Sequence, residues 1–284
     1  MKEDRPSATA RRVAMRRAAH QLLDDPKVFD DPLALRIIGR EDESALRADP
    51  HQFDRTPLAP YLRAFVAARS RSAEDELALA VRRGVHQYVV VGAGLDTFAY
   101  RNPYPQGTLH VYEVDHPATQ TWKRARLEEV GIAVPVDVTF VPIDFGAQTL
   151  DKELRGVGYD PGKCGFFSWL GVTEYLTAEE VMATLRFIGS APEASGVVFD
   201  YMICPSLLKP AQRARFEALA QRVASAGEPW QAFFDPGLLE SDLRDMGFGH
   251  VEDNGPEKIN ERYFKNRMDG LRVGSLSHLM IARV

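Results

Sequence analysis

Cysteine, long apolar runs and net charge are all scarce in this chain of 284 residues. The two cysteines, Cys164 and Cys204, are too few for a disulfide framework and lack the spacing of metal ligands. No apolar stretch approaches the roughly 18 residues that indicate a membrane helix. The N-terminal segment is polar and basic, without the apolar centre of a secretory signal. We therefore expect a cytoplasmic protein with no membrane partner and no bound metal.

The balance of charges argues against nucleic acid as a partner. There are 35 basic and 40 acidic residues, so the net charge is −5, and nothing in it favours nucleic acid or an anionic membrane surface. Hydrophobic residues make up 45% of the chain and charged residues 26%, as in ordinary soluble proteins. The length suits one large α/β domain with additions. Whether the chain forms a homo-oligomer stays open.

The most informative segment is residues 88–97, where an apolar, β-branched run ends in two glycines. Gly92 and Gly94 let the backbone adopt unusual dihedral angles and approach a ligand closely, as in the turn beneath a nucleoside cofactor. A dinucleotide site requires a third glycine where this chain has Thr97. Asp96 adds a carboxylate that repels phosphate but attracts a sulfonium. The turn therefore favours S-adenosylmethionine over NAD.

Strand and helix patterns alternate from residue 85 onward, which predicts a doubly wound, mostly parallel α/β sheet. The expected strands cover residues 87–91, 109–115, 138–143, 165–169, 196–201 and 276–284. The expected helices of this part cover residues 117–130, 149–155, 177–190, 212–226 and 241–246. Thr177, with Glu180 three residues later, is typical of a capping box at the start of its helix.

Residues 1–84 are expected to form an N-terminal helical cap or lid, with a mobile tail at residues 1–10. Its expected helices cover residues 10–23, 33–38, 61–71 and 74–83, with a loop over 40–57. Residues 85–284 then form the cofactor-binding core. An insert over about 202–232 is expected to build a second wall of the substrate pocket.

Suitable polar groups follow the next two strands. Glu113 and Asp115 lie about 20 residues beyond the glycines, the spacing at which an acid binds ribose hydroxyls. They share one face of an alternating strand, so either could reach the ribose. After the third strand, Asp144 can accept from an adenine amino group while Phe145 packs against the ring. Three successive strand ends together predict a nucleoside site.

Four linked segments resemble the leucine carboxyl methyltransferase family, including its bacterial branch of small-molecule O-methyltransferases. The likeness covers most of the chain, and its strongest blocks are residues 91–101, 112–123, 141–145 and 168–177. Residues 68–71 are similar to the arginine-bearing segment before the first strand, and residues 31–34 and the Arg17 helix to the N-terminal part. One departure is Leu170, where eukaryotic protein-methylating members carry an acid. This difference weakens any transfer of their protein substrate.

The resemblance implies a class I, Rossmann-like methyltransferase fold with S-adenosylmethionine as cofactor. It implies that Gly92 contacts the methionine portion, that Asp115 rather than Glu113 holds the ribose, and that Asp144 and Phe145 hold the adenine. Arg69 would bind the methionine carboxylate as a bidentate fork, with Arg71 as the substitute. The full set of expected cofactor-binding residues is Arg69, Gly92, Ala93, Gly94, Asp96, Glu113, Asp115, Asp144, Phe145 and Trp169.

The acceptor is expected to be a small molecule methylated on oxygen. An ionised carboxylate needs no general base, whereas a phenol or alcohol usually does. No catalytic dyad stands out: His20 and His116 are interpreted as structural, and His250 and His278 show no partner. Ester formation on a small acid is therefore favoured, with expected substrate contacts at Arg17, Tyr175 and Tyr201.

Alternatives to ester formation stay open at this point. They are methylation of a phenolic or enolic hydroxyl of a polyketide-like natural product and a non-catalytic adenosyl-binding module. An NAD-dependent oxidoreductase is disfavoured by Asp96 and Thr97. Several arginines could neutralise an acidic acceptor, namely Arg11, Arg12, Arg16, Arg17 and Arg63.

Overall fold

A seven-stranded sheet forms the centre of the protein, which a computed structural model describes over residues 7–225 and 229–284. Its strands are β1 Gln87–Val91, β2 His110–Asp115, β3 Val138–Pro142, β4 Gly165–Trp169, β5 Gly196–Met202, β6 His250–Asn254 and β7 Ser277–Arg283. Their order across the sheet is β3-β2-β1-β4-β5-β7-β6. The first five strands run parallel, and β7 runs antiparallel to both β5 and β6. This arrangement confirms the doubly wound, mostly parallel sheet.

Helices cover both faces of the sheet, and the N-terminal segment of the chain adds further helices. They are α1 Ala8–Leu23, α2 Ala34–Ile37, α3 Arg40–Ala48, α4 Ala59–Arg82, α5 Pro117–Glu129, α6 Leu150–Gly156, α7 Ala178–Gly189, α8 Pro210–Ser225, α9 Pro236–Asp245 and α10 Pro256–Tyr263. Short 3₁₀ turns cover Phe98–Tyr100, Thr173–Tyr175 and Pro205–Leu207. None of the helices in the described ranges is long and apolar enough to span a membrane.

The alternation of β1 divides the core into two layers. Val89 and Val91 pack on one face with apolar residues of α6, α7 and α9. Tyr88 and Val90 point to the other face, against residues of α4 and α10. A strand buried on both faces reads as a continuous apolar run, which is why this segment was recognisable in the sequence.

The N-terminal cap is built by α1, α2 and α3, which share a third apolar cluster with Leu95 of the glycine turn. By contrast, α4 packs directly on the sheet through residues such as Ala73 and Leu77. Its packing places α4 with the layered core, while a domain boundary at residue 84 stays a prediction.

The expected elements required several corrections. Residues 40–57, expected as a loop, include α3, whose first turn carries Glu41, Asp42 and Glu43, and acids there complement the helix dipole. The two helices expected over 61–71 and 74–83 are one, because no breaker interrupts α4.

Other differences lie on the C-terminal side of the chain and next to the ends of the described ranges. Strand β6 and helix α10 were missed, since a short polar edge strand has little apolar alternation. Helix α9 begins earlier than expected, at a proline that follows the capping Asp235. The capping box of Thr177 and Glu180 is confirmed. The mobile tail expected over residues 1–10 is wrong for its last part, because α1 begins at Ala8 with Ser7 as its cap. Residues 1–6 of that tail, and residue 226 at the expected end of α8, lie outside the described residues.

Candidate functional site

A crevice of about 440 Å³ opens at the carboxyl ends of β1 to β4, with α1 and α4 forming its other walls. Its position follows the general rule for open α/β sheets, which bind ligands beyond the carboxyl ends of their strands. Most of the expected cofactor residues line it, namely Arg69, Gly92, Ala93, Gly94, Asp96, Asp115, Asp144 and Phe145. The structure therefore brings together the ends of strands that are far apart in sequence.

The glycine turn depends on backbone angles that other residues rarely adopt. Gly92 and Gly94 have φ angles of +69° and +46°. A Cβ atom on Gly92 would lie 2.2 Å from Cγ2 of Val172, and one on Gly94 would lie 3.2 Å from Cβ of Ala10. Since Val172 and Ala10 both line the crevice, the absence of side chains on these glycines lets the segment after β4 and helix α1 pack against the glycine turn.

Of the two acids of β2, Asp115 is the one that lines the crevice. Its carboxylate accepts hydrogen bonds from the Gly94 amide at 2.5 Å and from the His116 amide at 2.7 Å. Burial raises the pKa of Asp115, and these two amide bonds oppose that effect. The carboxylate thus lies directly beside the glycine turn, where it can accept from a ligand's hydroxyl groups.

Glu113, by contrast, does not line the crevice. It is 1% exposed, its carboxylate pairs with the Lys123 ammonium at 2.8 Å, and it accepts a 2.8 Å bond from the Tyr100 hydroxyl. Burial raises the pKa of Glu113, opposed chiefly by Lys123. The expectation that it could reach a ribose from the same strand face is wrong, because that part of the strand lies under the helix that carries Lys123.

Asp144 and Phe145 form the far wall of the crevice after β3. The exposed Asp144 accepts from the Gly146 amide at 3.0 Å, which fixes the turn. Phe145 is half-buried against the core. An exposed carboxylate beside an aromatic ring suits a planar base with an amino group.

Arg69 lines the opposite wall and is already engaged. Its Nη1 atom lies 2.6 Å from Oδ2 of Asp200, at the end of β5, and Oδ1 of Asp200 accepts from the Gly171 amide at 2.6 Å. Arg71, the substitute candidate, is exposed and pairs with Asp75 at 2.7 Å, away from the crevice. Sequence reasoning missed Asp200, because an acid inside an apolar strand gave no motif.

Arg17 holds the cap in place. Its Nε atom lies 2.9 Å from Oδ2 of the buried Asp31, and its guanidinium donates to the Leu95 carbonyl of the glycine turn. Asp31 also accepts from the Thr97 hydroxyl at 2.7 Å. Arg17 lines the crevice, but its charge is balanced by Asp31, so the expected role in substrate binding gives way to a structural one.

Two expected site residues lie in the core instead. Trp169 is fully buried and does not line the crevice. Tyr201 is 1% exposed, and its hydroxyl donates to Asp253 at 2.8 Å. Both predictions are wrong, because the ends of β4 and β5 direct these rings into the layer beneath α7 and α9. Tyr175, the remaining substrate candidate, does line the crevice.

Asp96 serves the turn itself, since its Oδ1 atom accepts from the Phe98 amide at 2.8 Å. Asp96 also lines the crevice.

The acid Glu174 was missed as a candidate. It follows β4, and burial together with the nearby Asp200 raises its pKa to about 8, while Arg69 opposes the rise. The fourth block of the sequence drew attention to Leu170, and only the fold shows that Glu174 and Asp200 approach each other.

The histidines have structural partners. His20 is fully buried, lies 2.6 Å from Asp24 and accepts from the Val28 amide. His116 caps α5 by accepting from the Ala118 amide, although it also lines the crevice. His278 lies 2.9 Å from Asp253, so the expectation that it has no partner is wrong.

His250, for its part, lies 3.8 Å from Glu252, so it also has a partner. None of these geometries provides a base that faces the crevice with a free nitrogen and an acid behind it.

Comparison with known proteins gives concordant results. A family model described as leucine carboxyl methyltransferase matches residues 10–189. YktD of Bacillus subtilis, named as a candidate S-adenosyl-L-methionine-dependent methyltransferase, is 32% identical over 302 aligned positions, which cover 99% of each chain. Rv3767c of Mycobacterium tuberculosis, named in the same way, is 34% identical over 252 positions, which cover 84% of this chain and 76% of the relative.

Solved structures support the fold. A DUF574 family protein from Streptomyces avermitilis has a TM-score of 0.57 at 16% identity, covering 98% of this chain and 97% of its own. A candidate methyltransferase from Thermobifida fusca has a TM-score of 0.55 at 18% identity, covering 98% and 95%. The strand order and these likenesses identify a class I methyltransferase fold. Since the family model spans more than half of the chain, the protein belongs to the leucine carboxyl methyltransferase family.

Proposed function

We propose that the protein transfers a methyl group from S-adenosylmethionine to an oxygen of a small molecule, with a carboxylate as the preferred acceptor. The methyltransferase activity and its cofactor follow from family membership, since the chain is an S-adenosylmethionine-dependent methyltransferase. The observation that supports the site of the donor is the crevice, in which the glycine turn lies beside Asp115, with Asp144 and Phe145 also lining it. The preference for a carboxylate rests on the histidine geometries described above, none of which provides a general base.

The residues present fit an adenosyl group. Gly92 and Gly94 carry no side chains and both line the crevice, so a ligand in it can approach the backbone closely. We assign the ribose hydroxyls to Asp115 and the base to Asp144 and Phe145. Arg69 is assigned to the amino-acid carboxylate, since Asp200 engages Nη1 and the guanidinium has five N–H donors in all.

The bound donor supplies an electrophilic methyl group on a sulfonium, and the protein contributes position and electrostatics. Helix α1 lies against the glycine turn through Ala10. An acceptor carboxylate is ionised near neutral pH and needs no base. The protein must then hold its oxygen in line with the methyl group, which is a matter of proximity and orientation.

A hydroxyl acceptor is the second candidate, and one observation favours it. Glu174 lies close to Arg69 and Asp200, with its pKa raised to about 8. A carboxylate with such a pKa is a stronger base than an ordinary glutamate. Glu174 directly precedes Tyr175, which lines the crevice. Above about pH 8, where its carboxyl group is ionised, Glu174 would take the proton of a phenolic or enolic hydroxyl as the oxygen attacks.

Two measurements test the proposal. S-adenosylhomocysteine should raise the melting temperature of the protein while NAD leaves it unchanged, and equal, null shifts would contradict the cofactor assignment. A methyl-transfer assay that follows release of S-adenosylhomocysteine, run on matched carboxylic acids and phenols, then separates the acceptors. Turnover of phenols alone, with loss of activity in Glu174→Gln, would select the hydroxyl candidate.

A further inference from the structure

Arg16 on α1 is a half-buried arginine for which the structure shows no acidic partner. Its Nε atom is buried without a hydrogen-bond partner, and Nη1 donates only to the Arg12 carbonyl at 3.3 Å. Within residues 7–225 and 229–284, no ion pair involves Arg16, whereas Arg17, Arg63 and Arg69 each contact a buried aspartate. A desolvated cation without a partner is costly, so this position is unusual for a residue with only a structural role.

The surroundings of Arg16 point towards the crevice. Burial lowers the pKa of Arg16, and the cations Arg12 and Arg69 lower it further. Tyr175 and Asp54 are close enough to oppose this effect. Oδ2 of Asp54 pairs with Arg63 at 3.1 Å, and its Oδ1 atom has no hydrogen-bond partner. Arg69 and Tyr175 both line the crevice. Arg16 does not itself line the crevice, but Val13 and Thr9, one and two turns earlier on the same side of α1, do. Arg16 therefore lies on α1 at the flank of the crevice.

We infer that Arg16 is the anchor for an anionic acceptor and binds its carboxylate group. This inference rests on the proposed function and names the class of its substrate. The donor's own carboxylate is assigned to Arg69, deeper in the crevice beside Asp200. Arg16 lies on α1, apart from the glycine turn, and Tyr175, which is close enough to affect its charge, lines the crevice. The proposal places the acceptor on this side of the crevice.

The reaction removes the charge that Arg16 recognises. An acceptor carboxylate oxygen forms a bond to the methyl carbon as the sulfur–carbon bond breaks, and that electron pair stays on sulfur. The negative acid and the positive sulfonium become a neutral ester and a neutral thioether, with no proton transferred. Arg16 therefore binds the acid and not the ester, which favours product release.

The test compares an acid with its own ester on protein saturated with S-adenosylhomocysteine. Phenylacetate and methyl phenylacetate serve as probes, with binding measured by calorimetry. We expect wild type to bind the acid at least tenfold more tightly and Arg16→Met to lose that preference. Arg16→Lys should keep part of it. Arg40→Gln, at an exposed arginine at the start of α3 that does not line the crevice, is the matched control and should behave as wild type.

Two further readouts keep the outcome decisive. Without ligand, Arg16→Met should melt at the same or a higher temperature than wild type, because it removes a desolvated charge. Affinity for S-adenosylhomocysteine should stay unchanged in this variant. A loss of that affinity with unchanged binding of methylthioadenosine, which lacks the carboxylate, would assign Arg16 to the donor and overturn the inference. So would a wild type that binds the ester as well as the acid, or neither probe. Failure of wild type to bind S-adenosylhomocysteine would instead count against the proposed function.

Discussion

Arg69 of α4 and Asp200 of β5 form an ion pair, with Nη1 and Oδ2 2.6 Å apart and both side chains buried. The second oxygen of Asp200 holds the Gly171 amide after β4. One carboxylate therefore orients the arginine and fixes the turn that faces it. The wall of the crevice depends on this pair as a unit.

Replacing Arg69 should weaken donor binding. Arg69→Ala is expected to reduce affinity for S-adenosylhomocysteine at least tenfold, about 1.4 kcal/mol, through loss of a charge-assisted contact. It also leaves Asp200 buried without its partner, which should destabilise the fold by about 3–5 kcal/mol. Calorimetry and thermal unfolding measure the two effects separately.

The controls for this experiment are a double variant and a neighbouring arginine. Arg69→Met with Asp200→Asn removes both charges and should recover stability without recovering affinity. Arg71→Ala should change neither quantity, because Arg71 is exposed on the same helix. Unchanged affinity in Arg69→Ala would contradict the assignment of the donor carboxylate to Arg69.

The two acids of β2 should separate binding from stability. Asp115→Asn weakens S-adenosylhomocysteine binding in our expectation, because Asp115 faces the crevice, while the fold is largely retained. Glu113→Gln should do the reverse: it leaves the buried Lys123 ammonium without its 2.8 Å partner, at a cost of about 3–5 kcal/mol. Adding Lys123→Met to Glu113→Gln should restore stability. Equal loss of affinity in both acid variants would return Glu113 to the site.

The two acids of β2, Glu113 and Asp115, show how much of the site could be predicted from the sequence. Asp115 was predictable because the carboxyl end of a parallel strand has a fixed relation to the ligand crevice. The choice against Glu113 was not, since it depends on Lys123, which reaches back from α5 over the strand. The glycine turn and the third strand end were predictable for the same reason as Asp115.

Contacts between distant segments were beyond the sequence. Arg69 and Asp200 are 131 positions apart, and neither residue type nor spacing links them. The aromatic candidates Trp169 and Tyr201 failed because a strand end exposes one face only, and alternation alone does not say which face lies towards the ligand. Arg16 and Arg17 are adjacent in the sequence, yet only the fold shows that Asp31 pairs with Arg17 and not with Arg16.

Gly92 should tolerate no side chain. Gly92→Ala places a methyl group 2.2 Å from Cγ2 of Val172 at a φ of +69°, and the left-handed conformation alone costs roughly 1–2 kcal/mol. We expect lower stability and a loss of S-adenosylhomocysteine binding, measured by thermal unfolding with and without ligand. Adding Val172→Ala relieves the clash but not the strain, so it should restore stability only in part. Gly84→Ala matches the positive φ without any neighbour within 4 Å and should leave ligand binding intact.

Glu174 should give the protein a dependence of stability on pH. Its pKa in the folded state is raised to about 8 by burial and by Asp200, from an ordinary value near 4.5. The folded state therefore binds a proton that the unfolded state releases over this range. The stability contributed by that proton is complete below about pH 4.5 and is lost as pH rises through about 8. Glu174→Gln should flatten the melting temperature between pH 5 and pH 9 and raise it at the upper end. Glu179→Gln, an exposed acid on the following helix, should reproduce the wild-type profile, and a Glu174→Gln profile parallel to wild type would contradict the raised pKa.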